Sequence, residues 1–79
     1  MNVALITGAS GGLGRAIALQ LSKDHNLFIL INYSSNKNAA QEVLDEIIKQ
    51  GGSGQHIQFN VQNKNEVDSA LNLWKEKNK

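Results

Sequence analysis

A chain of 79 residues is long enough for one small domain, and its 41% hydrophobic and 19% charged residues are the balance of a globular rather than a disordered protein. The net charge of +1 provides no field that would attract nucleic acid or an anionic membrane surface. The lack of cysteine excludes disulfides, a CxxC redox pair and thiolate metal sites, and no apolar run has the roughly 18 residues that cross a bilayer.

The first predicted elements are a strand, a glycine-rich loop and a helix. Val3–Thr7 is a short apolar, β-branched run, typical of a strand buried on both faces. Glycines are concentrated in Gly8–Gly14, and the helix that follows is expected to end at Asp24–Asn26. Apolar residues at three- and four-residue spacing predict the buried face of this helix, formed by Leu13, Ala16, Ile17 and Leu21.

A second strand and helix come next. Leu27–Ile31 is a continuous apolar run and predicts a buried strand, whereas Asn32–Asn38 is polar and turn-like. Gly51 stands where a left-handed cap would end the second helix. The apolar stripe of that helix consists of Ala39, Ala40, Val43, Leu44, Ile47 and Ile48.

The last elements have weaker patterns. Gly52–Gly54 is expected to be flexible, and His56–Val61 predicts a third strand with Ile57, Phe59 and Val61 facing inward. Asn63 or Asn65 is expected to cap a third helix, and Lys75–Lys79 is expected to fray. The residues expected to share a face of this helix are Val67, Ala70, Leu71 and Trp74.

Strands that alternate with helices predict a parallel sheet with right-handed crossovers. The fold class is therefore α/β, a three-layer Rossmann-like half with the order βαβαβα. In the doubly wound order 3-2-1-4-5-6 the chain would supply strands 3-2-1 and stop before strands 4–6. Val3–Thr7 would then have an open edge, through which the chain is expected to form homo-oligomers.

The glycine-rich loop has the position of an anion site, because it follows a buried strand and opens a helix whose first N–H groups are unpaired. Two common phosphate loops do not match it. A P-loop ends in Gly-Lys-Ser/Thr, but Gly14 is followed by Arg15. The ordinary G-x-G-x-x-G spacing is replaced by G-x-x-x-G-x-G. A plainer alternative is that the loop is only a tight strand-to-helix turn.

The motif Thr7-Gly8-x-x-x-Gly12-x-Gly14 resembles the cofactor fingerprint of the short-chain dehydrogenase/reductase family. Within that family, the segment LITGASGGLGRAIA (5–18), the run Asn32–Ser35 and the helix Ala39–Gly51 resemble bacterial 3-oxoacyl-[acyl-carrier-protein] reductases, which act in fatty acid biosynthesis. The resemblance covers nearly the whole chain.

The resemblance implies a nicotinamide dinucleotide as cofactor and assigns residues to it. The residues that it places at the pyrophosphate and the nearby ribose are Gly8, Ser10, Gly11, Gly12, Leu13 and Gly14. Thr7 would stabilise the loop, and Asn60 with Val61 would contact adenine. Relatives usually have Asp at the position of Asn60, so this chain departs from the pattern there. The alternative interpretation is that Asn60 only ends the third strand.

NADP(H) is favoured over NAD(H). Enzymes that use NAD have an acidic residue at the end of the second strand, and this chain has Asn32 there, followed by Ser34 and Ser35. These two hydroxyl groups, with Arg15 or Lys37, are candidates for binding a 2′-phosphate. The plainer alternative is that Asn32, Ser34 and Ser35 are ordinary polar loop residues. Gly11 argues the other way, because NADP-preferring relatives often have a basic residue at that position.

No catalytic residue is expected in this chain. The Ser and Tyr-x-x-x-Lys that the resemblance implies would lie beyond residue 79, and Tyr33 with Lys37 repeats that spacing only by coincidence, on the adenosine side of the site. Residues 1–79 are thus predicted to be the N-terminal dinucleotide-binding portion of a carbonyl reductase, without its catalytic portion and inactive alone.

Two other functions stay open. One alternative is a degenerate, non-enzymatic fragment that self-associates or binds adenine nucleotide weakly. The other is a nucleotide-sensing module whose partner surface the sequence does not identify. No metal, nucleic-acid or membrane partner is expected, since His25 and His56 have no Cys to complete a metal site. With no cationic region before the first apolar run, we expect a cytoplasmic protein without a signal peptide.

Overall fold

The computed structural model describes residues 2–9 and 11–78. Its strands are β1 (Asn2–Ile6), β2 (Leu27–Tyr33) and β3 (Ser53–Gln58), and its helices are α1 (Gly12–Leu21), α2 (Lys37–Lys49) and α3 (Lys64–Lys77). Both strand pairs are parallel and the sheet order is β1-β2-β3. The predicted βαβαβα half of a doubly wound fold is confirmed.

The main core lies between one face of the sheet and the helices α1 and α2. Ile29 and Ile31 on the central strand β2 are fully buried there, because strand side chains alternate between faces and these two point toward the helices. Their buried partners are Ala9, Ala18, Ala40, Val43, Leu44 and Ile47. Four of the six predicted stripe residues of α2 are therefore confirmed as buried, whereas Ala39 is only partly buried and Ile48 is 57% exposed.

The predicted buried face of α1 is right for Leu21, which packs partly buried against the core, and wrong for Leu13, Ala16 and Ile17. Leu13 is 77% exposed and Ile17 is 43% exposed, whereas Ala18, which was not predicted, is fully buried. The small Ala18 side chain lets the helix approach the sheet closely, so the contact face is set by the close approach and not by the largest apolar side chains.

The third strand begins earlier than predicted. Ser53 pairs with Phe28 and Gln58 pairs with Tyr33, so Ser53 and Gly54 of the segment expected to be flexible enter the sheet, and the strand ends at Gln58 instead of Val61. The reason is steric: a Cβ on Gly54 would lie 2.4 Å from the Ile29 carbonyl oxygen, which means that only glycine allows this pairing. Of the residues expected to face inward, Phe59 is buried but Val61 is 53% exposed.

Caps define the helix ends. The Asn36 side chain accepts a hydrogen bond from the Ala39 N–H, so α2 begins two residues before its apolar stripe. Asn63, rather than Asn65, caps α3 by accepting from the Glu66 N–H. Gly51 has φ +87° and forms the predicted left-handed cap.

Helix α3 forms the third layer, on the face of the sheet opposite α1 and α2. Its Trp74 ring lies 6.0 Å from the ring of Phe28, and the indole nitrogen donates to Gln55 at 2.8 Å. None of its described residues is fully buried, and Val3 and Leu5 on β1 stay about 40% exposed on this face. Within residues 2–9 and 11–78, no helix has the length and apolar character needed to cross a membrane.

Candidate functional site

The carboxyl ends of the three parallel strands meet at one edge of the sheet, where they form a cleft of about 440 Å³. In doubly wound folds ligands bind outside this edge, so its position alone makes the cleft the candidate site. The residues that line it are Thr7, Gly8, Asn32, Tyr33, Ser34, Ser35, Asn36, Asn60 and Val61.

The loop before α1 turns the chain sharply from strand to helix. Gly8 has φ +66°, a conformation that favours glycine, and its carbonyl oxygen accepts from the Gly11 N–H at 3.0 Å. Arg15 donates its N–H to the carbonyl of Gly11, the N-cap residue, at 2.8 Å. The N–H groups ahead of Arg15 therefore have no acceptor one turn back within the helix.

The start of α1 has the chemistry of an anion site. Its cap residue is a glycine and provides no side-chain acceptor, and its first turn contains no acidic residue. The amides of Gly12 and Leu13 and the positive end of the helix dipole thus face outward without a neutralising group from this helix.

Space around the glycines tests whether a dinucleotide fits. A Cβ on Gly14 would lie 2.3 Å from the Gly8 carbonyl oxygen, so this glycine is required by the loop itself. A Cβ on Gly12 would meet no heavy atom within 4 Å. A side chain at position 12 would therefore stand in open space, and its lack lets a diphosphate approach the backbone of the first turn, so the residues present fit that group.

The end of β2 differs from the polar turn that was expected, because Asn32 and Tyr33 belong to the strand. Asn32 is only 5% exposed, and its amide nitrogen donates to backbone carbonyls, including that of Phe59 at 3.0 Å. Ser34 and Ser35 follow the strand, are exposed, and line the cleft. Two hydroxyl groups are consequently available to a ligand at the point where β2 ends.

The two cations considered for a 2′-phosphate have different positions. Arg15 on α1 forms an ion pair and hydrogen bond with Glu46 on α2, so its guanidinium group joins the two helices. Lys37 is exposed and is the first residue of α2, next to Asn36, which lines the cleft. Lys37 is therefore the better placed of the two.

At the end of β3, Asn60 is held in a turn. Its side-chain oxygen accepts from the Gln62 N–H at 2.9 Å, and its own N–H donates to the Glu66 carboxylate at 3.2 Å. The neighbouring Val61 is half-exposed at the cleft. The turn fixes the orientation of the Asn60 side chain before any ligand binds.

The structure places the predicted site residues in two adjoining groups. Five of them line the cleft itself: Gly8, Asn32, Ser34, Asn60 and Val61. Gly11, Gly12, Leu13 and Gly14 are not among the lining residues; they follow at the start of α1, where the Gly11 N–H donates to the carbonyl of the lining residue Gly8. Ser10 lies outside the described residues.

The cleft also contains Asn36, which the sequence reasoning did not assign to it. Its position three residues before Ala39 is the capping pattern that would have indicated it. Tyr33, which was expected on the adenosine side, lines the cleft too. Its ring meets the His56 ring edge-on at 5.5 Å and packs against the main core, which agrees with a structural role for this tyrosine.

Known proteins are similar to this chain in both sequence and structure. A family model described as short chain dehydrogenase matches residues 2–79. A 3-oxoacyl-[acyl-carrier-protein] reductase of Synechocystis is 44% identical over 69 residues, and the reductase FabG of Staphylococcus aureus is 41% identical over 68 residues. The crystal structure of the landomycin C-6 ketoreductase LanV with bound NADP and rabelomycin matches with a TM-score of 0.80 at 34% identity.

These matches cover most of this chain and a small part of the other proteins. The Synechocystis match includes 87% of this chain and 28% of the relative, and the Staphylococcus match includes 86% and 27%. The LanV match includes 90% of this chain and 29% of the ketoreductase. The chain thus spans between a quarter and a third of the length of these proteins.

Proposed function

Because this chain belongs to the short chain dehydrogenase family, we propose that it binds NADP(H) as the N-terminal dinucleotide-binding part of a carbonyl reductase. The observation that carries this proposal is the start of α1, where no side chain of the cap residue accepts from the first amides and the position of a Gly12 side chain is open. It follows Gly8, which lines the cleft. This arrangement binds a diphosphate without any charged side chain.

Each group of residues has one task in this function. The amides of Gly12 and Leu13 hold the diphosphate, the hydroxyls of Ser34 and Ser35 face the adenosine ribose, and Val61 packs against the adenine. When bound, the dinucleotide supplies the hydride that reduces a carbonyl. In this proposal the catalytic Ser and Tyr-x-x-x-Lys are not among residues 1–79, and the task of these residues is to bind and orient the cofactor.

Preference for NADP(H) is supported by the side chains at the end of β2. No carboxylate stands there to accept from a 2′-hydroxyl or to repel a 2′-phosphate, and Lys37 brings a positive charge close to Ser34 and Ser35. The bound NADP of the similar ketoreductase LanV is consistent with this preference.

The substrate class is proposed from similarity alone. Relatives at 44% and 41% identity are named 3-oxoacyl-[acyl-carrier-protein] reductases, which favours a 3-oxoacyl thioester and a place in fatty acid synthesis in the cytoplasm. A fragment that only self-associates is the second candidate, favoured by the exposed apolar residues of β1.

Calorimetric titration with NADPH and with NADH tests the proposal. We expect NADPH to bind more tightly than NADH. Lys37→Ala should lower the affinity for NADPH roughly fivefold and leave the affinity for NADH unchanged, because an exposed contact to a charged group contributes about 1 kcal/mol. Lys49→Ala, at the opposite end of α2, is the matched control and should alter neither. An absence of heat with both dinucleotides would remove the binding function and leave the self-associating fragment.

A further inference from the structure

Asn32 connects the carboxyl ends of β2 and β3 through its side chain. The amide nitrogen lies 3.0 Å from the carbonyl oxygen of Phe59, 3.3 Å from that of Tyr33 and 3.4 Å from that of Ile57. The Phe59 and Ile57 carbonyls belong to the chain at the end of β3, and the side chain is 5% exposed. One donor group therefore contacts carbonyls of both strands, in addition to the backbone hydrogen bond that the Phe59 N–H donates to the Tyr33 carbonyl at 3.1 Å.

These contacts fix the orientation of the amide. The opposite orientation would bring the Asn32 side-chain oxygen against the same three carbonyl oxygens, acceptor against acceptor, in a buried place. The Asn32 nitrogen therefore donates its hydrogen bonds to the backbone of the sheet and not to a ligand. Because Asn32 also lines the cleft, its oxygen is the polar atom that remains for a ligand, and this atom accepts hydrogen bonds but does not donate them.

We propose that Asn32 is a positioning residue, which holds the ends of β2 and β3 together and thereby sets the shape of the adenosine end of the cleft, and that a carboxylate cannot take its place. The part that concerns the cofactor rests on the proposed dinucleotide site. Dehydrogenases that use NAD hold the 2′-hydroxyl with an acidic residue at the end of the second strand. In this chain that route to NAD use is closed, because the carboxylate would face the carbonyls now served by the amide nitrogen.

The consequence for phosphate recognition is equally specific. Asn32 offers no donor to a 2′-phosphate, so the hydroxyls of Ser34 and Ser35 and the ammonium group of Lys37 have to bind it. Asn32 contributes by keeping the strand that precedes these residues in register with β3.

Unfolding by urea at two pH values tests the positioning role. At about pH 8, we expect the folded-to-unfolded ratio to fall in the order parent, Asn32→Ala, Asn32→Asp. The loss should be at least tenfold for Asn32→Asp, because it removes the donor to the Phe59 carbonyl and also places a buried negative charge beside the carbonyl oxygens. Burial and the carbonyl dipoles raise the pKa of the introduced carboxyl in the folded state. Its stability is therefore greatest at low pH and declines as the pH rises through that raised value, so Asn32→Asp should recover about tenfold between about pH 8 and about pH 5.

The control is Asn72→Asp, on the exposed surface of α3, which should show neither the loss nor the recovery. The titratable groups at this end of the sheet are Tyr33 on β2, His56 on β3, Glu66 on α3 and Lys37 on α2, and all four are present in every variant. The role is refuted if Asn32→Asp is as stable as Asn32→Ala at about pH 8. It is also refuted if Asn32→Asp fails to gain on acidification, or stays unfolded at about pH 5 where Asn32→Ala folds.

Dinucleotide titration then tests the consequence for the cofactor. We expect Asn32→Asp to bind NADH no more tightly than the parent does. A folded Asn32→Asp variant whose affinity for NADH rises tenfold would show that the carboxylate reaches the ribose, and would overturn the proposal. If the parent binds neither dinucleotide, the proposed function fails by itself, while the unfolding series still decides whether Asn32 joins the strands.

Discussion

Two glycines in the first turn of α1 have different surroundings. Gly14 lies against the loop backbone, where an added Cβ would stand 2.3 Å from the Gly8 carbonyl oxygen and 3.0 Å from the Cα of Ala9. A Cβ on Gly12 would stand in open space. Packing against the loop thus explains Gly14 but not Gly12, for which the proposed function supplies a reason, the close approach of the diphosphate to the backbone.

This difference predicts opposite effects for two alanine substitutions. Gly14→Ala should lower the free energy of unfolding by about 1–3 kcal/mol, as overpacking does. Gly12→Ala should leave it unchanged or raise it by up to about 1 kcal/mol, because alanine is the better helix former. Urea unfolding of both variants measures these changes.

The affinity for NADPH also distinguishes the two glycines. Gly12→Ala should lower this affinity by about tenfold or more while the fold stays intact. The methyl group would hold the diphosphate away from the first amides of α1. Unchanged affinity in Gly12→Ala would mean that the diphosphate does not sit over this turn, and each variant serves as the control for the other.

For single residues, the sequence predicts where a residue lies in the fold better than it predicts which atoms its side chain contacts. The strand–loop–helix order was sufficient to predict that Gly8 and Val61 lie at one edge of the sheet, because parallel strands end on the same side. It was not sufficient to predict that the Asn32 nitrogen binds the end of β3, since that contact depends on the register between two strands 25 residues apart. The pairing of Arg15 with Glu46 is likewise a contact between helices that periodicity does not reveal.

Among the elements, α1 and α2 are joined at their carboxyl ends by a buried hydroxyl. Ser22 is fully buried, donates to the Leu19 carbonyl at 2.8 Å and accepts from the Gln50 side chain at 2.8 Å. Gln50 also donates to the Leu19 carbonyl at 3.2 Å. The ends of two helices therefore share one small polar network, which complements the Arg15–Glu46 pair between the same helices.

Ser22→Ala should lower the free energy of unfolding by about 1 kcal/mol, which is the usual cost of one lost buried hydrogen bond. The loss is limited because Gln50 is exposed and can bond to water instead. Ser69→Ala, on the exposed surface of α3, is the matched control and should change stability by less than about 0.5 kcal/mol. Equal effects of the two substitutions in thermal or urea unfolding would show that the network does not hold the helices together.

The accuracy of the element predictions follows the strength of each pattern. Helix α2 has a regular stripe with polar residues elsewhere, and four of its stripe residues are buried as expected. Helix α1 packs through alanine and glycine, which have little hydrophobic periodicity, and its face was mispredicted. Strand β3 begins with Ser53 and Gly54, whose small size serves the close approach to β2, and the same composition also describes a flexible loop.

For the whole molecule, the incomplete second face of the sheet is the main structural consequence of the fold. The accessible surface of 5105 Å² exceeds the roughly 4,700 Å² expected of a compact monomer with this mass. β1 lies at the edge of the sheet, and its Val3 and Leu5 side chains are 41% and 39% exposed on the face that α3 covers only in part. Such an edge combines unpaired backbone groups with apolar surface, which is the combination that promotes pairing between chains.

We therefore expect the 79-residue chain by itself to self-associate with increasing concentration, and Leu5→Lys to shift it toward the monomer, because a charged side chain on an edge strand opposes further pairing. Light scattering after size-exclusion chromatography over a wide concentration range measures the effect.

Leu73→Lys is the matched control, since Leu73 is also apolar and is 58% exposed, but lies on α3. If Leu73→Lys dissociates the chain and Leu5→Lys does not, the contact lies at α3 and not at the edge of the sheet. A parent chain that stays monomeric throughout would show that the open edge of β1 is tolerated, and would remove the only structural support for the self-associating fragment.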